Sequence, residues 1–514
     1  MASVDAVQEF SIQTSTYGPE FGRQPGGQVS IVTRTGTNQI HGSAFNYLRN
    51  SALDANSYFA NANRLGKTAE RQNDFGFTAG GPVLKNKTFF FVSYEGVRLR
   101  QPFVTAPLQV PSLSARQSAT GALKDILNAF PLPTGPTFAG DPTAAPYIGS
   151  FSNPLSLNAT SFRIDHAIGR KLTLFARYNH APSEDRQRAR FCAASCVANL
   201  QYEADTTTAG ATMLMSPELN NDFRLNYSKS RTNQTYSIDN FGGAVAPPES
   251  SLYPSFTSGK NGYIYIELNA SGSNTISDGL FSDNQQRQWN IVDTLSWQAG
   301  GHALRFGVDY RRLTPVSNSG NYKRSFLPDN IADLVNNVPT FATIVAPRFV
   351  LQPQYSNFSA FAQDTWRLTP RIAITYGVRY EVNPAPSEKN GNLPPTVLNL
   401  DNPSALTLAA SGTKLYETTW NNLAPRVGVA WQPFASGRTV IRGGFGVYYD
   451  LGYGFTGSSF STGIYPFAAT LSLPAVTFTS PAFAVQPPAV SPNPPYPRVF
   501  AYSKDFQLPY TLQY

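Results

Sequence analysis

Apolar and polar positions alternate with a period of two over much of the chain. The clearest run extends from Asn357 to Val382 and turns at Thr369-Pro370-Arg371. Its second half places Ile372, Ile374, Tyr376, Val378, Tyr380 and Val382 on one face, and Arg371, Thr375, Gly377, Arg379 and Glu381 on the other. Successive side chains of a strand point to opposite sides, so this pattern predicts a strand with one apolar and one wet face. Four more pairs follow the same plan. Phe162, Ile164 and Ile168 turn at Gly169-Arg170 into Leu172, Leu174, Ala176 and Tyr178. Ser216-Pro217-Glu218 leads into Phe223, Leu225 and Tyr227, and Gly300-Gly301 into Leu304, Phe306, Val308 and Tyr310. Val427 to Trp431 joins Ile441 to Tyr449 through Ala435-Ser436-Gly437. Helical spacing is nearly absent; Leu123, Ile126 and Leu127 predict a short loop helix between Ser114 and Phe130.

The connections are asymmetric. Hairpins close in about two to four residues, whereas Pro182 to Ala204, Thr232 to Gln285, Pro315 to Gln352 and Pro384 to Asn421 read as long polar loops. A soluble sandwich has comparable turns at both ends. Short turns at one end and long loops at the other predict an all-β, antiparallel transmembrane β-barrel, incomplete, with about 13–14 strands. Segments of about 9–13 residues suit a tilted bilayer crossing. Trp289 and Trp297 lie on one face of one strand, roughly 26 Å apart, near the height of an apolar belt. Asp293 falls between them on that face, so a bulge or a local contact is expected there.

The opposite faces carry Arg163 and Asp165, Arg177, Asp222 and Arg224, Arg305 and Asp309, Arg379 and Glu381, and Arg442. Charges in mid-strand need water or partners, which makes Arg177, Arg224, Arg305, Arg379 and Arg442 the candidate lumen-facing residues.

Composition agrees with this reading. Charged residues make up only 14% of the chain, Tyr and Phe number 26 and 35, and the formal charge is a dispersed +8, so no nucleic-acid surface is indicated. No apolar run is long enough for a membrane helix, and the first residues show no secretory signal. Cys192 and Cys196 sit in a polar loop and read as a small disulfide. His41, His166, His180 and His302 are scattered without partners at ligand spacing, so no metal is expected. Asp278 and Asp283 hint at a calcium loop but lack its full ligand sequence. Aromatic loop positions Tyr263, Tyr265, Tyr448, Tyr449 and Tyr453 are read as loop packing or girdle anchors ahead of ligand stacking. Eight prolines between Pro474 and Pro497 predict an exposed loop. No catalytic signature appears, so neither enzyme activity nor a cofactor is expected.

The first fifty residues are distinct. Tyr17-Gly18-Pro19-Glu20-Phe21-Gly22-Arg23 leads to Gly26-Gly27-Gln28-Val29-Ser30-Ile31-Val32-Thr33-Arg34-Thr35-Gly36-Thr37-Asn38, then His41-Gly42-Ser43. Gly26, Gly27 and Gly36 permit turns or close backbone approach around a short strand over Val29, Ile31 and Thr33. This stretch resembles the end of the plug and the entry to the barrel in TonB-dependent outer-membrane receptors, particularly the Oar-like branch. Asn73-Asp74-Phe75-Gly76, Gly80-Gly81-Pro82-Val83, Thr88 to Gly96, Phe361 to Arg371, Gly377 to Glu381 and Asn422 to Gly428 resemble the same family, in the same order.

The resemblance implies a plug remnant over residues 1–40 and the leading portion of a barrel over 41–514, internal to a receptor about twice as long. It further implies outer-membrane lipid as surroundings, and a periplasmic TonB-type protein as partner through a coupling peptide absent from this sequence. The ligand would be a small molecule, oligosaccharide or peptide. A passive porin and a secreted β-rich adhesion protein are the alternatives.

Overall fold

The computed structural model describes residues 4–14, 17–22, 26–189, 192–268, 275–503 and 505–514. Among these, fourteen strands form one continuous antiparallel wall, in chain order. They are His41–Asn50, Arg71–Leu84, Thr88–Val104, Ser150–Ile168, Leu172–Arg188, Cys196–Ser216 and Leu219–Ile238, followed by Ile276–Ala299, His302–Val316, Pro353–Thr369, Ile372–Val382, Leu423–Trp431, Ile441–Tyr449 and Tyr510–Gln513. No ladder among the described residues joins the first of these to the last, so the wall is an incomplete barrel. The five hairpins read from the alternation are all present. A sixth, Arg71–Leu84 with Thr88–Val104, escaped the period-two pattern because Phe89-Phe90-Phe91 is continuous.

The apolar stripe faces outward. Tyr376 and Val378 are 43% and 37% exposed, while Arg379 and Glu381, one position off in parity, are each 1% exposed. The soluble-sandwich alternative, which buries that stripe between two sheets, is thereby excluded. Trp289 and Trp297 lie on the same outward face, in an unbroken register with both neighbouring strands. Asp293 therefore keeps its outward parity; no bulge intervenes, and Asn221 Nδ2 donates to Asp293 Oδ1 at 2.8 Å.

Several strands outrun expectation. The predicted loop Pro182 to Ala204 is largely strand and Thr232 to Gln285 is strand at both ends, since ladders continue to Arg188 and Ile238 and resume at Cys196 and Ile276. Above an apolar belt both faces meet water, so the alternation vanishes while Thr, Asn and Gln still pair through the backbone.

The largest hydrophobic core lies outside the wall, among the long connections. Gly262–Ile266 pairs antiparallel with the start of Ile276–Ala299 and parallel with Tyr322–Leu327, which continues to Phe341–Pro347 and Ala468–Leu473. Gly121–Asn128 joins the core of this sheet through Ile126 and Leu127, and Leu113–Ser118 packs beside it; together they are the helical segment the spacing predicted, here split in two. Ile126, Phe130, Phe326, Ile331 and Phe483 are fully buried in this cap. The proline-rich segment is thus not wholly exposed: Phe478 and Phe483 contact Phe326 with ring centroids 5.4 and 5.8 Å away. Proline removes backbone donors but leaves intervening aromatics free to dock.

Candidate functional site

The N-terminal residues form a two-stranded ribbon, Val7–Thr14 with Gly27–Thr33, on the wall's polar face. Between its strands lies a turn over 17–22, closed by the Phe21 N–H donating to Gly18 O at 3.1 Å. Pro19 stiffens this turn, and glycines on both sides let the wall's side chains approach it closely. A Cβ at Gly18 would lie 2.6 Å from Gln363 Oε1, and one at Gly22 would overlap the Arg379 guanidinium.

Two buried arginines of the wall hold the turn by its backbone. Arg426 Nη1 donates to the carbonyls of Tyr17, Gly18 and Phe21 at 3.2, 2.6 and 2.5 Å. Arg379 Nη1 donates to those of Pro19 and Glu20 at 3.3 and 3.4 Å. Arg379 is itself fixed by Glu381 Oε1 and Ser359 Oγ, each at 2.5 Å, and by Asp309 Oδ2 at 3.4 Å. A charged donor so enclosed needs this full set of acceptors. Tyr448 donates its hydroxyl to Tyr17 O at 3.2 Å, the two rings pack at 4.7 Å, and Arg426 lies 4.1 Å over the Tyr448 ring. Glu20 pairs with Arg305. At the ribbon's other end Arg163 donates to Thr33 Oγ1 at 3.1 Å while chelating Asp165. The ribbon therefore touches wall strands far apart in order, which requires the wall to curl around it.

The candidate lumen-facing residues separate into two groups. Arg379 and Arg305 grip the turn. Arg177 instead bonds Ser161 Oγ and Asn179 Oδ1 within the wall. Arg224 and Arg442 are exposed on the same face, and Arg442 lines a recess of about 310 Å³ with Gln13, Tyr17, Glu20 and Arg426. Arg426, Tyr17 and Glu20 were missed as site residues. The available signal was parity: Arg426 alternates with outward Val427 and Val429, as Arg379 does with Val378.

The connecting motif behaves as a passage from ribbon to wall. Gly26 adopts φ +111°; Val29 and Ile31 lie exposed on the ribbon. Cβ atoms at Gly36 and Gly42 would collide with the carbonyls of Phe90 and Thr78. Asn38 and Asn86 exchange two hydrogen bonds, at 2.6 and 2.7 Å, pinning the passage to a hairpin turn. His41 Nδ1 sits 3.0 Å from Gln39 O, and Gly27 lies in the strand itself.

One expectation is corrected. Cys192 and Cys196 are buried free thiols, not a disulfide. Their sulfurs bond carbonyls instead, Cys192 Sγ to Cys196 O at 3.3 Å and Cys196 Sγ to Ser277 O at 3.5 Å. Asp278 and Asp283, whose calcium-ligand sequence is incomplete, have protein partners: Tyr253 bonds Asp278 at 2.9 Å, and Arg231 chelates Asp283 at 2.8 Å. His166, His180 and His302 find partners on neighbouring strands, invisible in sequence spacing. His302 meets Asp364 at 2.7 Å, and His180 meets Asp205 at 2.9 Å with Glu203 nearby. The Asp205 oxygen that meets His180 also accepts from Tyr178, and all these groups lie on the outward face. Of the aromatic loop positions, Tyr263 packs against Tyr236 and Tyr265, and Tyr453 against Tyr355.

A belted, curled antiparallel wall with Arg379 and Arg426 turned inward onto a ribbon defines an outer-membrane β-barrel. The model of the outer membrane beta barrel domain matches residues 32–125 and 116–514, and the chain belongs to that family. It is 23% identical over 513 residues to the TonB-dependent transporter Oar of Myxococcus xanthus, covering 87% of this chain and 44% of that protein. The outer membrane transporter YddB from Escherichia coli shares the fold, with a TM-score of 0.51 and 11% identity over 87% of this chain and 48% of that one. The resemblance read from the motifs is borne out: the chain is Oar-like, and its barrel family places it in the outer membrane. It spans about half the length of the proteins it matches.

Proposed function

We propose that residues 1–40 are the end of a plug, that residues 41–514 are the leading part of its barrel, and that the whole receptor takes up or transfers a ligand by energy coupling. In this reading the cap of long connections captures the ligand, and the lumen stays closed while Arg379 and Arg426 hold the 17–22 turn. A periplasmic TonB-type protein, acting on chain upstream of the ribbon, pulls that turn away. The observation that carries the reading is the enclosure of five backbone carbonyls of one turn by two wall arginines. Such a grip is strong at rest and reversible as a unit.

The test is permeability of cells bearing the complete receptor to a bulky antibiotic. Arg379→Ala with Arg426→Ala is expected to raise permeability, whether or not the inner-membrane proton gradient is intact. A passive porin predicts no change, because its lumen is already open.

A further inference from the structure

On the outward face, on the long-connection side of the aromatic belt, four exposed arginines converge. Arg71 stands directly opposite Arg100 across two paired strands, and Arg98 occupies the next outward position along the same strand as Arg100. Arg186 lies two strands further on, and all four line one recess of about 480 Å³ with Leu48, Asn73 and Pro154 among its other walls. The recess contains one carboxylate, Glu184, already paired with Arg186 at 2.7 Å. Glu70 nearby is taken by Arg49 at 2.9 Å. Arg71 and Arg100 have no acidic partner among the described residues, yet like charges directly opposite each other on paired strands repel.

Position explains the arrangement. Arg98 shares its face with Tyr94, roughly 13 Å further down the strand, and its guanidinium lies 5.8 Å over the ring of Phe75, in the belt's upper edge. The arginines therefore stand where hydrocarbon gives way to headgroups, a level at which lipid-facing charge costs little. Guanidinium forks match phosphate oxygens in pairs, and Asn73 and Ser156 offer hydrogen bonds to sugar hydroxyls.

We propose that this recess is a docking surface for the phosphorylated headgroup of an outer-leaflet glycolipid. One phosphate bridges Arg71 and Arg100, which removes their mutual repulsion, and Arg98 anchors the headgroup against the belt. Acyl chains then run down the outward stripe below. The inference depends on the membrane location alone, not on transport or coupling.

The test is lipid binding by the 514-residue chain in phosphatidylethanolamine nanodiscs, read by native mass spectrometry with phosphorylated lipid A as probe. Arg71→Gln with Arg100→Gln is expected to weaken retention by about tenfold or more, with heat-modifiable migration confirming an intact wall. The unaltered chain provides an arm that needs no variant: it is expected to prefer lipid A over its dephosphorylated form by a similar factor. Equal binding of the two forms would overturn the proposal, as would undiminished retention by a folded double variant. Displacement of lipid A by millimolar inorganic phosphate would also overturn it, by showing a free-anion site instead of a headgroup site.

Discussion

Arg426 and Gly18, separated by 408 positions in the chain, are joined by a hydrogen bond of 2.6 Å from guanidinium to backbone carbonyl. Because the acceptor is backbone, the grip depends less on the turn's side chains than on its path, which Gly22 keeps close to Arg379. Hydrogen bonds to charged donors are worth about 1.5–3 kcal/mol each. Arg426→Ala is therefore expected to raise hydrogen exchange over residues 17–22 by about tenfold or more. Gly22→Ala should act similarly by displacing Arg379. Unchanged exchange in both variants would show that the turn is held by something else.

Asp293 and Asn221 are a polar pair in the middle of the outward belt. Asn221→Leu strands the carboxylate in lipid, at a cost below the roughly 2–4 kcal/mol of a lipid-facing Arg or Lys at the midplane. Unfolding by denaturant in lipid vesicles should show that loss, and Asp293→Leu added to Asn221→Leu should recover most of it. An additive result from the double variant would mean that the two residues do not act together.

Arg116 supports the cap from inside. It is buried, and it donates to the carbonyls of Pro111, Phe130 and Pro131 at 3.0, 2.8 and 2.5 Å. Burial pushes its guanidinium down to about 10, which leaves it charged at neutral pH. Arg116→Ala leaves three carbonyls unpaired and is expected to expose residues 105–149 to protease, with no loss of heat-modifiable migration, since among the described residues Arg116 bonds only within the connection that joins two wall strands.

Asp239 gives the cap an acid limit. Partial burial opposes its charge, but Arg188 at 2.7 Å and the Phe241 N–H at 3.0 Å prevail and hold the carboxyl below its usual range. A carboxyl lowered on folding stabilises the fold above its unfolded pKa, about 3.9, and that contribution disappears as pH falls through the lower folded value. Proteolysis of residues 239–268 should therefore increase below about pH 4, and Asp239→Asn should flatten this dependence. A profile identical in the variant would assign the acid limit to other groups.

Cys192 and Cys196 offer a simple chemical check. Denatured without reductant, the chain is expected to take up two maleimides. Uptake of none would restore the disulfide that loop context suggested.

Much of the wall was legible because burial and lipid exposure both impose period two. Val378 and Arg379 could be assigned to opposite faces from sequence alone. The Phe89–Phe91 run was opaque, since continuous apolarity carries no parity. Strand ends above the belt, such as Val197 to Gln201, were read as loop because water on both faces erases the pattern. The cap was hidden for another reason: its core draws Ile126, Phe326 and Phe483 from three separate connections, a long-range coincidence that local periodicity does not encode. The same applies to Tyr17 meeting Tyr448.

The central claim is that apolar faces meet hydrocarbon while polar faces enclose a wet interior. Spin labels at Val378→Cys and, in a separate chain, Thr375→Cys test it in lipid bilayers. The first is expected to be relaxed by dissolved oxygen and shielded from a water-soluble nickel complex, and the second to show the reverse. Equal shielding of both labels, or the opposite pattern, would contradict the account.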